Sequence, residues 1–195
     1  ARAHWLLGLG ELEDPANRPA LLLLAGLPGS GKSTLAHALA PGANFEVLRS
    51  DVVRKELTAG NPRENLYTDA WTERTYAELL ARAEQLFWQG RRVLIDANFR
   101  DDAMRRRFLA TARAWAIPAF FLHCQAAPEV IKARLASRRD DASDADWGVY
   151  QSLQSARQPI SAEVRAATVE LNTSGAVDNC LRTLRAYLSA EGILS

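Results

Sequence analysis

A chain of 195 residues with 48% hydrophobic content can bury one substantial core and is too short for two full domains. Lysine and arginine (24) nearly balance aspartate and glutamate (23), so the formal charge of +1 excludes whole-molecule attraction to nucleic acid or to an anionic membrane, and any anion must be held locally. No apolar run approaches the ~20 residues that span a bilayer, and the first residues lack the basic, apolar, small-residue layout of a secretory leader. No membrane association and a cytoplasmic location are the expectations.

In chain order, residues 1–19 hold a short apolar run, His4 to Leu9, and then the polar breaker series Glu11 to Pro19. They read as a linker or N-terminal extension to one domain over residues 20–195, with a further domain upstream in a longer protein. Short apolar runs and longer periodic segments then alternate, the mark of repeated strand–helix units and a parallel sheet. The spacing predicts strands over residues 20–25, 45–49, 92–96, 119–124 and 168–171. It predicts helices over 32–40, 52–59, 69–89, 101–116, 128–138, 147–157 and 177–191, with Gly42, Gly60 and Gly90 as stops. In the long middle helix, Trp71, Thr75, Leu79, Arg82 with Ala83, and Leu86 recur at helical spacing, a stripe suited to core packing. Cys124 and Cys180 fall in separate apolar segments without metal-ligand spacing and read as reduced core thiols. The fold class is therefore α/β, with helices on both faces of a five-stranded parallel sheet.

The first strand runs into Gly26-Leu27-Pro28-Gly29-Ser30-Gly31-Lys32-Ser33-Thr34, which opens the first helix. In that context the glycines let the loop wrap so that backbone N–H groups face phosphate oxygens, and the helix N-terminus adds partial positive charge. Residues Leu27 to Thr34 are thus the candidate triphosphate site. Lys32 bridges the β- and γ-phosphates in this reading, the Ser33 hydroxyl ligands Mg2+, and Thr34 reaches the α-phosphate.

Three absences argue against hydrolysis as the purpose. There is no Asn-Lys-x-Asp guanine-reading motif, Ala97 rather than glutamate follows Asp96, and the chain has no room for the lid domain of a ring ATPase. Asp51 sits where the second strand gives way to a helix, at the carboxyl edge of the sheet, where ligands bind in open α/β folds. It can take the proton of an acceptor hydroxyl, with Arg54 three residues on clamping the acceptor; the alternative is a helix N-cap. Asp96, ending the third strand, suits a Mg2+-side carboxylate or an acceptor contact with Asn98 beyond it; the alternative is a local Asp-x-Asn turn. Arg134 and Arg138 lead into the polar stretch Asp140 to Asp146, a candidate flap whose arginines could neutralise charge on the transferring phosphoryl; the alternative pairs them with those aspartates. Arg105, Arg106 and Arg107 read as a solvated helix face. Asn172 to Gly175, after the last strand, is by position a candidate base-contacting loop.

These residues together resemble the small P-loop kinase-like proteins known as AAA-domain ATP-binding proteins, relatives of zeta toxin, chloramphenicol phosphotransferase, gluconate kinase and the kinase half of phage polynucleotide kinase. The resemblance rests on the phosphate loop, Arg49-Ser50-Asp51-Val52-x-Arg54-Lys55, Thr75-Tyr76-x-x-Leu79, Val93-x-x-Asp96-Ala97-x-Phe99 and Asp141-Ala142-Ser143-Asp144-Ala145. It covers nearly everything after Pro19 and is strongest to the C-terminal half of proteins with an aminoglycoside-phosphotransferase-like domain in front. It implies a three-layer kinase fold with strand order 2-3-1-4-5, ATP with Mg2+, Asp51 as base and an arginine-bearing lid after the fifth helix. Asn98 stands where many relatives carry threonine. The expected catalytic set is Lys32, Asp51, Arg134 and Arg138, with Arg134 also on the nucleotide. Asp51, Arg54, Asp96 and Asn98 face the acceptor, and Ser33, Asp51 and Asp96 are the metal set. The leading expectation is transfer of the ATP γ-phosphate to a small-molecule hydroxyl. A polynucleotide 5′-kinase, using Arg49, Arg54, Lys55 and Arg63, and an ATP-binding regulatory module with little catalysis are the alternatives.

Overall fold

The computed structural model describes residues 18–58, 68–137 and 146–194, together with positions 4 and 8. The rest of the expected linker, Gly60, Arg63, Arg138 and the flap up to residue 145 lie outside the described residues. In chain order the elements are β1 (Leu21–Ala25), α1 (Lys32–Leu39), β2 (Phe45–Arg49), α2 (Ser50–Leu57), α3 (Asp69–Trp88), β3 (Arg92–Ala97), α4 (Asp102–Ala114), β4 (Ala119–Gln125), α5 (Pro128–Ser137), α6 (Trp147–Ser155), α7 (Ala162–Arg165), β5 (Thr168–Asn172) and α8 (Val177–Ala190), with a 3-10 turn at Pro41–Ala43. No helix among the described residues is long and apolar enough to cross a membrane.

The five strands form one sheet in the order β2-β3-β1-β4-β5, and every neighbouring pair is parallel. Burial on both faces explains why β1 reads Leu-Leu-Leu-Leu-Ala without alternation. Leu21, Leu23 and Ala25 pack with Tyr76, Leu79 and Phe87 of α3 and Phe108 of α4, while Leu22 and Leu24 pack with Leu35 of α1 and Leu184 of α8. Three layers result, one per helix face and the sheet between.

Helix α3 starts where the Thr68 hydroxyl accepts from Trp71 N at 3.3 Å, and it buries Thr75, Tyr76, Leu79, Leu80, Ala83 and Phe87. The apolar stripe therefore serves the core. Its outer member Arg82 pairs with Glu78 and Glu56, at 2.8 and 2.7 Å. Cys124 and Cys180 are buried free thiols.

Arg105 corrects the sequence reading. Its side chain is fully buried, and it donates to the carbonyls of Phe99, Arg100, Gln158 and Pro159 as well as to Asp102, at 2.7–3.3 Å. A guanidinium so removed from water is tolerated because its donors are used. It ties the loop after β3 to the segment after α6. Arg105→Ala leaves those carbonyls without donors and is expected to destabilise the fold by about 3 kcal/mol or more. Urea unfolding checks this, and a loss under about 1 kcal/mol would refute the brace.

Register brings the functional segments to one edge. Ala25, the last residue of β1, lies level with Ala97 of β3 and His123 of β4, and Arg49 of β2 lies level with Asp96. The phosphate loop, the start of α2, the loop after β3 and His123 thus meet at the carboxyl ends of the strands.

Candidate active site

The loop between β1 and α1 has three glycines at positive φ: Gly26 at 150°, Gly29 at 79° and Gly31 at 82°. Gly26 is also held by crowding, since an added Cβ would lie 2.5 Å from Ser30 Oγ and 2.6 Å from the Cys124 carbonyl oxygen. Only glycine meets both demands. The result is a narrow cradle whose Ser30 hydroxyl is buried without a hydrogen-bond partner among the described residues. An orphan hydroxyl inside a glycine cradle at a helix N-terminus is the donor set a phosphate needs. These residues fit a nucleotide's phosphates.

Lys32 is buried, and its ammonium donates to the Leu27 carbonyl at 3.1 Å, closing the loop on itself. Ser33 donates to Asp96 Oδ2 at 2.6 Å, and Arg49 Nε lies 3.7 Å from the same oxygen. Asp96 therefore bonds across the sheet edge and does not form the local turn that its sequence neighbours allowed. Thr34, in the first turn of α1, is exposed.

Helix α2 begins at Ser50 with Arg49 as its N-cap, so Asp51 falls in the first turn and the capping alternative fails. An acid there is favoured by the helix dipole. Burial raises its proton affinity above the ordinary carboxylate value; Lys32 opposes the shift, Asp96 adds to it, and Arg49 and Arg54 oppose it. Asp51 thus lies within electrostatic reach of the phosphate-loop lysine, a second carboxylate and two arginines. Asn98 is half-buried on the loop after β3. Beside it, Phe99 has φ 47°, and its N–H donates to the Tyr76 hydroxyl at 2.9 Å while its ring meets Tyr76, Phe108 and Phe121 edge-on. That lock holds the loop at the sheet edge, and no periodicity in the sequence announces it.

Arg134, on α5, reaches back to the phosphate loop and donates to the Gly29 carbonyl at 3.3 Å and the Thr173 carbonyl at 2.6 Å. Thr173 Oγ1 in turn lies 2.7 Å from Ser30 O and 2.9 Å from Gln125 O. The Asn172–Gly175 loop is thus laced to the cradle, a bracing contact the sequence did not announce. Leu27 packs with Ile131 of α5 and Tyr150 of α6, which ties these two helices to the phosphate loop. Among the described residues no group of three or more His, Cys, Asp or Glu side chains is arranged to hold a metal. Mg2+ typically takes one or two protein oxygens and draws the rest from phosphates and water, so Ser33 and Asp96, already 2.6 Å apart, fit it in that way.

Comparison with known proteins agrees with this architecture. The profile of a family described as "AAA domain" matches residues 21–160. Uncharacterized proteins of Mycobacterium tuberculosis and Mycobacterium bovis are 34% identical over 165 residues, covering 80% of this chain and 32% of theirs. The chain thus spans about a third of the length of these curated relatives. Among solved structures, a sugar kinase from Janibacter sp. HTCC2649 superposes with a TM-score of 0.71 at 19% identity over 91% of this chain and 98% of that one. A gluconokinase from Sinorhizobium meliloti 1021 gives 0.67 at 17% over 89% and 93%. The Mycobacterium tuberculosis APS kinase CysC, in complex with AMPPNP and APS, gives 0.65 at 18% over 88% and 98%. With the family profile, the sheet order and the glycine cradle in agreement, this chain belongs to the AAA domain family and has the P-loop kinase fold.

Proposed function

We propose that this protein is an ATP-dependent phosphotransferase that moves the γ-phosphoryl group of ATP to a hydroxyl of a small molecule. The observation that carries the reading is Asp51: a half-buried carboxylate of raised proton affinity, within electrostatic reach of Lys32 and Asp96 at the sheet edge. A carboxylate in that setting is a general base facing the phosphate loop.

Asp51 takes the proton of the acceptor hydroxyl, whose oxygen forms the new bond to the γ-phosphorus. The bond from that phosphorus to the bridging oxygen breaks, and ADP leaves with the electron pair. Residues Leu27 to Thr34 hold the phosphates through backbone N–H groups, Lys32 meets the developing charge on the β- and γ-oxygens, and Arg134 swings from its carbonyl partners to the nucleotide. Arg138 keeps the charge-neutralising role that its place four residues after Arg134 gives it in the sequence. Arg54 and Asn98 contact the acceptor. Ser33, Asp96 and Asp51 form the Mg2+ side of the site, and the ion would supply charge neutralisation between the phosphates when bound.

The named activities of the similarly folded sugar kinase, gluconokinase and APS kinase favour a small acceptor. The near-neutral charge weighs against a polynucleotide. ADP release from MgATP tests the proposal against a panel of sugars, sugar acids, nucleosides, aminoglycosides, chloramphenicol and 5′-hydroxyl oligonucleotides, with Lys32→Ala as blank. Stimulation by a small acceptor, lost in the variant, is expected. ATP binding with a flat panel would favour a regulatory module instead.

A further inference from the structure

The arginines near the site differ in how their donors are used. Arg105 makes five hydrogen bonds and Arg134 two. Arg157, just past α6, makes no side-chain hydrogen bond or ion pair among the described residues, yet it is half-buried and its Nη2 is closed off from solvent. Burial lowers its proton affinity and the neighbouring Arg105 adds to that, with Glu170 and Tyr150 opposing the shift.

The backbone around Arg157 is not free to relieve this. Gln158 N donates to the Arg100 carbonyl at 3.0 Å, and Arg105 grips the Gln158 and Pro159 carbonyls at 3.0 and 2.9 Å. Arg157 is thereby fixed to the loop after β3, the same loop that carries Asn98. It lies within electrostatic reach of His123, which is level with the start of the phosphate loop. His123 is 5% exposed; its Nδ1 lies 2.6 Å from Glu170 Oε2, and its Nε2 is buried without a partner. Glu170 also accepts from Gln125. Glu170, the carboxylate within electrostatic reach of Arg157, is thus already engaged, and the Arg157 guanidinium has no hydrogen-bond partner among the described residues.

We propose that Arg157, towards the His123 end of the sheet edge, is an acceptor subsite that holds a carboxylate or phosphate group of the molecule to be phosphorylated. A guanidinium with no hydrogen-bond partner among the described residues is the kind of group that recognises such oxyanions. The identity of the bound molecule as an acceptor rests on the phosphotransferase reading; the anion subsite itself does not. His123 lies on β4 and Asp51 follows β2, so the two stand apart along the sheet edge with β3 and β1 between them. A hydroxyl at Asp51 and an anion at Arg157 call for a molecule that carries the two several bonds apart, a sugar acid or sugar phosphate in class, over a neutral polyol.

Calorimetric titration of the chain held with Mg2+ and a non-hydrolysable ATP analogue tests this without turnover, using gluconate, glucose 6-phosphate, inorganic phosphate and glucitol as probes. At least one of the two sugar anions is expected to bind well ahead of both glucitol and inorganic phosphate. Arg157→Gln should weaken that binding on the order of 10- to 100-fold, with Arg157→Lys in between and the analogue's own affinity within about twofold of wild type. The melting temperature of Arg157→Gln should equal or exceed that of wild type, because an unpaired half-buried charge is removed; a purely structural arginine would lower it. Four outcomes overturn the subsite: neither sugar anion binds, glucitol matches them, inorganic phosphate alone binds, or the variant loses the analogue instead of the sugar anion. If a sugar anion binds through Arg157 but receives no phosphate, the subsite stands and the phosphotransferase reading fails.

Discussion

Lys32→Ala is expected to lower phosphoryl transfer about 10³-fold, roughly 4 kcal/mol of transition-state stabilisation. The ammonium is the cation at the mouth of the glycine cradle, 3.1 Å from the Leu27 carbonyl and beside the helix N-terminus capped by Gly31 at φ 82°. Its present bond to a loop carbonyl is replaceable by phosphate oxygens carrying full negative charge, which develop further charge only in transfer. Stability should change little, since one hydrogen bond of about 1 kcal/mol is lost. Single-turnover rates and thermal melting, measured together, separate the two effects. A variant that folds and transfers phosphate within tenfold of wild type would remove Lys32 from the mechanism.

Asp51→Asn is the second large effect. The amide is isosteric and polar but takes no proton, so the rate should fall about 10²- to 10⁴-fold. The sign of the stability change is opposite to that of a paired carboxylate. Burial raises the proton affinity of Asp51 in the fold, so the associated stability is fully present below the ordinary carboxylate value and is lost as pH rises through the raised one. At neutral pH the ionised group works against the fold, and the asparagine variant should melt at or above wild type. The acid limb of kcat/KM should likewise lie above the ~3.9 of an ordinary aspartate and vanish in the variant. An unchanged rate, or an acid limb that survives in Asp51→Asn, would assign the base elsewhere.

How far the sequence carries the fold is visible in particular segments. Strand β2 lies where its spacing put it, and the other strands differ by a residue or so at their ends, because apolar runs between glycine and proline breaks leave little choice of element. Strand order came from the resemblance, since periodicity says nothing about neighbours. Helix α7, four residues long, is too short to show a period. At the site, the phosphate loop was legible because its glycines and lysine act through local backbone geometry. Arg105 was misread because its partners at Gln158 and Pro159 are 53 and 54 residues away, and a run of three arginines looks the same whether one turns inward or none does. Arg157 could not be singled out at all: what distinguishes it is that it has no hydrogen-bond partner among the described residues in three dimensions. The Tyr76–Phe99 lock was half visible as a motif, but its strained φ belongs to tertiary packing.

The most direct measurement of the central claim follows label from the γ-position of ATP in a reaction containing Mg2+ and an acceptor that stimulates ADP release. Label is expected in a phosphate ester of the acceptor, one per ADP formed, and none above background with Lys32→Ala. Label recovered as inorganic phosphate, with the acceptor unmodified, would contradict it and make the protein a nucleotide hydrolase.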